Sequence, residues 1–383
     1  MKIAERYQMC TRCIMDTTDP EIEFDENGVC NHCRNYDLLA PKFIKPEDVL
    51  LRELDQLVRE IKNKGKGRDY DCVIGVSGGV DSSYVAYTVK QLGLRPLAVH
   101  MDNGWDSELA VSNIEKFLNR LNIDLYTVVL DWEEFRDLQI AFLKASVPDG
   151  EIPTDHAIWA VLYKAAAERG IPYIISGFNF ATEAFIPPRW TYGHFSWNYI
   201  KNVHRKFGKY DLLTFPHLSF AHKLYYLFIR KVEVVPILNY IKYDKQAALQ
   251  FLEKELGWRP YGGKHYESIY TRFFQGYILP RKFNIDKRKA HLSALILSGQ
   301  MNRQDAIQEI QKPPYSGYML EDDMEYILKK FEFTEDEFDR IMSLPVKTYK
   351  DYPSSVPAEN MVRSLRIGRI AKKLGILTTR RAF

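Results

Sequence analysis

The residues best equipped for chemistry form one short run. Cys72-Val73-Ile74-Gly75-Val76 reads as a buried strand and leads directly into Ser77-Gly78-Gly79-Val80-Asp81-Ser82-Ser83, which opens a helix. Two adjacent glycines let backbone pass close to a phosphate with no Cβ in the way. A helix start aims free N–H groups and the positive end of its dipole at the same anion. Ser77, Ser82 and Ser83 add hydroxyl donors, while Asp81 can cap the helix or hold a Mg²⁺ bridging phosphate oxygens. The run lacks the Gly-Lys-Ser/Thr of loops that transfer a terminal phosphoryl group, so that chemistry is not what it is built for.

A second constellation lies at the start of the chain. Cys10-x2-Cys13 and Cys30-x2-Cys33, sixteen residues apart, have the paired-knuckle spacing of a four-thiolate metal site. Zinc and an iron–sulfur cluster both accept four thiolates, and the spacing in polar, turn-like sequence favours zinc. Four ligands leave no open position, so the ion is expected to be structural and to supply binding energy that a small, sparsely apolar module cannot draw from a core. Asn27-Gly28 suits a hairpin turn between the pairs. His32 reads as a bystander and Cys72, the fifth cysteine, as an inert core residue.

The third is a local basic patch. From Arg259 to Lys289 there are eight Lys or Arg against two acids, interleaved with seven Tyr or Phe. Within it, Tyr261-Gly262-Gly263-Lys264-His265-Tyr266-Glu267-Ser268 sets a glycine pair beside a lysine, a histidine and a glutamate, the types that neutralise phosphate charge and move protons. Arg272, Lys282, Lys287 and Arg288 could grip a diphosphate or a carboxylate.

The elements that must position these residues alternate. Strands are expected at 72–76, 97–101, 125–130, 173–176 and 232–238. Helices are expected from Ser82 to Gly93, from Ser107, from an Asp155 cap to Gly170, and from Asp244 to the stop at Gly257. That order implies an α/β fold with a doubly wound, five-stranded parallel sheet, and the loop at the carboxyl end of its first strand is where such sheets bind ligands. Four further helices, 286–298, 302–311, 320–331 and 334–344, give a helical C-terminal region. The chain divides into a metal module (1–45), a nucleotide domain (46–258) and a helical substrate-binding region (259–383). Residues 177–220 read as a long aromatic covering loop.

At 383 residues and 46% apolar content, the chain can bury a substantial core. Its 53 basic and 50 acidic residues give a net charge of +3, which offers no global pull toward nucleic acid. Neither an export signal nor an apolar run long enough for a membrane span is evident, so a cytoplasmic location with no membrane or nucleic-acid partner is expected.

The Ser77–Ser83 run resembles the SGGxDS signature of the PP-loop ATP pyrophosphatases. That resemblance implies that the loop grips the β- and γ-phosphates of ATP as a leaving group, with attack at the α-phosphate. It also implies nucleoside contacts at neighbouring strand ends, with Asp102 for ribose or adenine and Ser176 and Gly177 for close approach. Together with CTRCIMDTTDPEIEFDENGVCNHC, MDNGW, YGGKHYES with TRFFQ, and DKRKAHLSALILSGQM, the chain is similar to the N-acetyl sugar amidotransferases (WbpG type) of bacterial lipopolysaccharide O-antigen biosynthesis. That resemblance implies ATP, Mg²⁺ and Zn²⁺ as cofactors and conversion of an acetamido group on a nucleotide-linked sugar into an acetamidino group. It assigns Ser77, Gly78, Gly79, Asp81 and Ser82 to pyrophosphate and Mg²⁺, Lys264 to charge at the α-phosphate and His265 to a proton. Glu267, Arg272, Lys282 and Arg288 would hold the substrate. The chain lacks a Gly-x-Cys-x-Gly glutaminase nucleophile, so ammonia is expected from a partner resembling the glutaminase of imidazole glycerol phosphate synthase, with a cyclase-like barrel as companion. A PP-loop tRNA-modifying enzyme is the alternative.

Overall fold

The computed structural model describes residues 7–191, 196–263, 266–315 and 317–354. Its centre is a five-stranded, all-parallel sheet in the order β3-β2-β1-β4-β5, formed by β1 (Cys72–Gly75), β2 (Pro96–Asp102), β3 (Asp124–Val129), β4 (Tyr173–Ser176) and β5 (Glu233–Pro236). Strand order reverses between β1 and β4, which opens a crevice at their carboxyl ends.

Period-two alternation decides which face each residue serves. Cys72, Ile74, Ala98, Tyr173 and Ile175 point to one side. There they pack against α2 (Glu47–Lys64), α3 (Val80–Gln91), α4 (Glu108–Leu121) and α10 (Lys245–Leu256). Val73, Leu97, Val99 and Ile174 point to the other, against α6 (Ile152–Glu168). Helix ends follow local chemistry. The Ser107 and Asp244 side chains accept the Ala110 and Ala247 amides, and Gly257 ends α10 in the left-handed region.

A third cluster is built by α5 (Trp132–Ala145), α8 (Trp197–Phe207) and the C-terminal helices. The cysteine knuckles and Met15 belong to this same cluster, so the N-terminal module is packed into the body of the protein. Its helix α1 (Asn31–Phe43) starts directly at Cys30. The C-terminal region contains α11 (Ile269–Phe273), a π-turn (Phe274–Ile278) and α12 (Leu279–Phe283), followed by α13 (Arg288–Leu297), α14 (Arg303–Gln311), α15 (Gly317–Phe331) and α16 (Glu335–Ser343).

Two departures from the sequence reading have physical causes. Helix α6 begins at Ile152, with Pro153 in its first turn, so Asp155 lies inside the helix rather than capping it. The 177–220 segment contains α7 (Phe180–Glu183) and α8, whose Tyr199, Ile200 and Val203 are buried. Helix α1 continues through Pro41, a residue that reads as a breaker.

Candidate active site

The phosphate loop sits at the β1–β4 crevice. Gly78 has φ +78, and a Cβ there would stand 2.6 Å from the Ala110 carbonyl oxygen of α4, so both backbone conformation and packing require glycine. Its own carbonyl accepts the Trp258 indole N–H at 2.8 Å. Gly79 caps α3, and a Cβ on it would meet the Ser77 hydroxyl, the Glu267 carboxylate and the Tyr261 hydroxyl, each at 3.3 Å. The two glycines therefore differ: Gly78 is locked into the scaffold, whereas Gly79 faces a polar chamber. Ser82 Oγ accepts the Ser77 amide at 3.3 Å, lies 3.4 Å from Ser77 Oγ and donates to the Gly79 carbonyl at 3.1 Å, so a phosphate would have to draw the Ser82 hydroxyl from that carbonyl. Ser83 is fully buried and donates to the Gly79 carbonyl at 2.8 Å, which spends its hydroxyl on the loop itself.

Asp81 projects from the first turn of α3 and accepts the Tyr243 hydroxyl at 2.5 Å. Burial, then the charge of Asp81, push the Tyr243 phenol far above its ordinary range. Tyr261 is raised likewise by burial, by Glu267, to which it hydrogen-bonds, and by Asp81. Two carboxylates and two protonated tyrosines thus surround the mouth of the loop.

Glu267 arrives there through backbone pairing. Ser107 N donates to Glu267 O at 2.8 Å, Ile269 N donates to Trp105 O at 2.9 Å, and Asp106 bridges Ser268 in antiparallel fashion. The segment after β2 and the start of the C-terminal region are therefore tied together beside the loop. Lys264 and His265 lie outside the described residues.

A cavity of about 1150 Å³ extends from the loop. Gly75 of β1 with Val76 and Ser77 just after it, His100 of β2 with Asn103 just after it, and Ser176 of β4 with Gly177 just after it line the cavity. Ser176 Oγ is buried and has no hydrogen-bond partner among the described residues, a polar atom aimed where a ligand would be welcome. A Cβ on Gly177 would sit in ordinary contact with Asp81 at 3.4 Å, so packing alone does not demand glycine there. Asp102 spends one oxygen on the Gly104 amide at 2.8 Å, while its neighbours Met101 and Asn103 reach the cavity.

Of the basic candidates, three are occupied by the protein itself. Arg272 makes a two-pronged pair with Asp323, both contacts 2.6 Å, and only 16% of its side chain is exposed. Lys282 donates to the carbonyls of Ile341, Met342 and Leu344 at the end of α16, and burial pulls its ammonium down to about 8. Arg288 pairs with Asp286 at 2.7 Å and caps the end of α14 through the Lys312 carbonyl at 3.0 Å. These side chains hold the helical region together, and none of the three lines the cavity. The cation that does face the cavity is Lys287, 2.7 Å from Glu151, which also accepts from Gln275. Burial opposes the Lys287 charge, but Glu151 outweighs it and raises the ammonium above its ordinary value. Sequence reasoning missed Glu151, Gln275 and the cavity-facing His100. The charge pattern of the basic segment held no signal for them, because their partners lie far away in the chain.

The opposite wall comes from the N-terminal module: Asn31, His32 and Asn35 of α1 face the cavity, with His32 stacked on Phe185 and 2.7 Å from Asp19. Behind them the four buried cysteine sulfurs lie within 4.8 Å of one another, with Cys10–Cys33, Cys13–Cys30 and Cys30–Cys33 at 3.8, 3.7 and 3.6 Å. Tetrahedral bonds of about 2.3 Å to zinc place sulfurs about 3.8 Å apart, so the residues present fit that ion. Backbone amides of Arg12, Cys13 and Cys30 point at Cys10 Sγ, as thiolates require. Arg303 of α14 donates to the Cys10 and Cys13 carbonyls at 2.8 and 3.0 Å, clamping the knuckle to the helical region.

Residues 267–366 match the family model described as the C-terminal domain of WbpG-like LPS biosynthesis proteins, so the chain carries a WbpG-like C-terminal domain. The tRNA-specific 2-thiouridylase MnmA of Flavobacterium johnsoniae is 29% identical over 121 residues, 27% of this chain and 30% of that protein. A probable mitochondrial tRNA-specific 2-thiouridylase of Caenorhabditis elegans is 32% identical over 130 residues, 30% of this chain and 34% of that protein. The chain thus spans about a third of the length of these curated relatives. Among solved structures, an NH3-dependent NAD synthetase from Campylobacter jejuni superposes with a TM-score of 0.33 at 16% identity, covering 70% of this chain and 98% of that one.

Proposed function

We propose, for a chain that carries a WbpG-like C-terminal domain, an ATP-dependent amidotransferase that activates an amide oxygen on a nucleotide-linked acetamido sugar and replaces it with nitrogen. The observation that supports this most is the meeting at Gly79. Glu267, the first residue of the WbpG-like domain, stands against the glycine whose amide heads the phosphate loop. Loop and domain form one chamber, large enough for a nucleotide and a sugar together.

In this reading the Ser77 and Ser82 hydroxyls and the Gly79 amide hold the β- and γ-phosphates at the dipole end of α3. Asp81 would carry Mg²⁺, which supplies charge screening between the phosphates. The amide oxygen attacks the α-phosphorus, the bond from that phosphorus to the bridging oxygen breaks, and pyrophosphate leaves. Ammonia then adds to the activated carbon, a proton passes to a base, and AMP departs with the oxygen. Lys264 and His265 are assigned the developing phosphate charge and that proton.

The cysteines bear on where nitrogen comes from and on the thiolation alternative. Four are gathered in the metal cluster, and Cys72 is fully buried in β1, where burial drives its thiol far above its ordinary range. None is offered as a nucleophile for glutamine or for sulfur transfer. Ammonia would therefore come from a separate glutaminase subunit. Incubation with ATP, Mg²⁺, ammonium and a panel of nucleotide-linked acetamido sugars is expected to yield AMP, pyrophosphate and a product bearing NH for oxygen. Formation of ADP, or no pyrophosphate with any acceptor, would refute the proposal.

A further inference from the structure

His100 sits on β2 with its ring facing the cavity and only 8% of the residue exposed. Its Nδ1 lies 2.9 Å from the carbonyl of Val76, the last residue before the phosphate loop. A carbonyl only accepts, so Nδ1 carries a hydrogen. Its Nε2 lies 3.1 Å from Asp106 Oδ2, at ion-pair distance, and that buried oxygen has no hydrogen-bond partner among the described residues. A proton on Nε2 would set an imidazolium beside that carboxylate, so a charged ring suits both neighbours. Asp106 is in turn the residue that bridges Ser268, next to Glu267.

We infer that His100 is a positioning residue: as an imidazolium held between Val76 and Asp106, it fixes the root of the phosphate loop to the bridge with the WbpG-like domain. It also sets a positive charge beneath the turn that takes the phosphates. The inference rests on the loop binding ATP, as proposed above.

Other charges face the same space. Asp102 on the same strand end acts on His100 through its charge, and the cavity is also lined by Glu267 from the bridge, Glu151 before α6, Asp155 within it, Glu21, Glu183, His32, Lys287 and His291. Burial disfavours the charge on His100, but the hydrogen bond and charge of Asp106 outweigh it and raise the imidazole above its ordinary value. A raised cation is present below that value and lost as pH rises through it. Affinity for an anionic ligand must then fall in the same direction.

The test is ATP binding by the full chain with Mg²⁺, without sugar or ammonia, from about pH 6 to about pH 9, the range that brackets a raised histidine. Wild type is expected to lose affinity through a break above the ordinary histidine value. Asp106→Asn, which keeps size and hydrogen bonding, is expected to move the break to lower pH. His100→Gln is expected to abolish the break and weaken binding at low pH by about tenfold, the worth of one charge-assisted hydrogen bond. Titration of ATP itself is common to all three proteins and cancels in the comparison. If His100→Gln does not fold, as read by circular dichroism, Asp106→Asn alone carries the test. Profiles identical to wild type in the folded variants overturn the inference and leave the loop reading standing. Failure of wild type to bind ATP at any pH removes both.

Discussion

The phosphate loop and the basic segment 259–289 are both rich in residues suited to anions, yet they use them in opposite ways. In the proposed reading the loop would bind through backbone and short hydroxyls whose directions are set by one strand and one helix. The segment has long, charged side chains, and Arg272, Lys282 and Arg288 turn away to partners on α14, α15 and α16. Residues that act through a local turn can be read from neighbours in the chain. Residues that act through four or more rotatable bonds are claimed by whatever the fold brings near.

The sharpest way to break this contrast is Arg272→Ala. If Arg272 is internal mortar, its loss strands Asp323 in a site where that residue is only 4% exposed. It should then cost about 3–5 kcal/mol of stability in denaturant melts, with ATP affinity of the folded fraction unchanged. A raised KM for sugar with normal stability would return it to the substrate. Next in size, Asp81→Asn can still accept from Tyr243, so stability should hold. Pyrophosphate release should nevertheless fall about a hundred- to a thousandfold, the cost of removing one preorganised charge partner. Gly78→Ala should cost about 2–3 kcal/mol, because it forces an L-residue to positive φ and against the Ala110 carbonyl. It should abolish nucleotide binding as well, whereas any variant of Lys282 should spare it. Smallest, Lys282→Met should lose about 1 kcal/mol of helix-end interaction, since burial already taxes that ammonium.

The same division explains how much could be read in advance. The five-stranded parallel sheet, the loop, the cysteine cluster and helices such as α4 and α10 were legible because each follows from a short pattern. Caps at Ser107 and Asp244 stand where a capping residue precedes an apolar stripe. Helix α5 went unread although its signal was present, since Asp131 accepts the Glu134 amide at its start. What was not legible is the pairing of residues far apart. Glu267 reaching Gly79 depends on where the bridge between residues 105–107 and 267–269 forms, and Lys287 meets Glu151 across 136 residues of chain.

The clamp of Arg303 on the carbonyls of Cys10 and Cys13 carries a consequence for the cell. Because α1 springs directly from Cys30 and presents Asn31 and Asn35 to the cavity, a zinc ion held by the knuckle would also brace the chamber's far wall. A chain starved of zinc during synthesis would keep a loop able to grasp nucleotide while missing the surface opposite it. Metal supply would then set how many copies are competent, without touching a single residue of the loop.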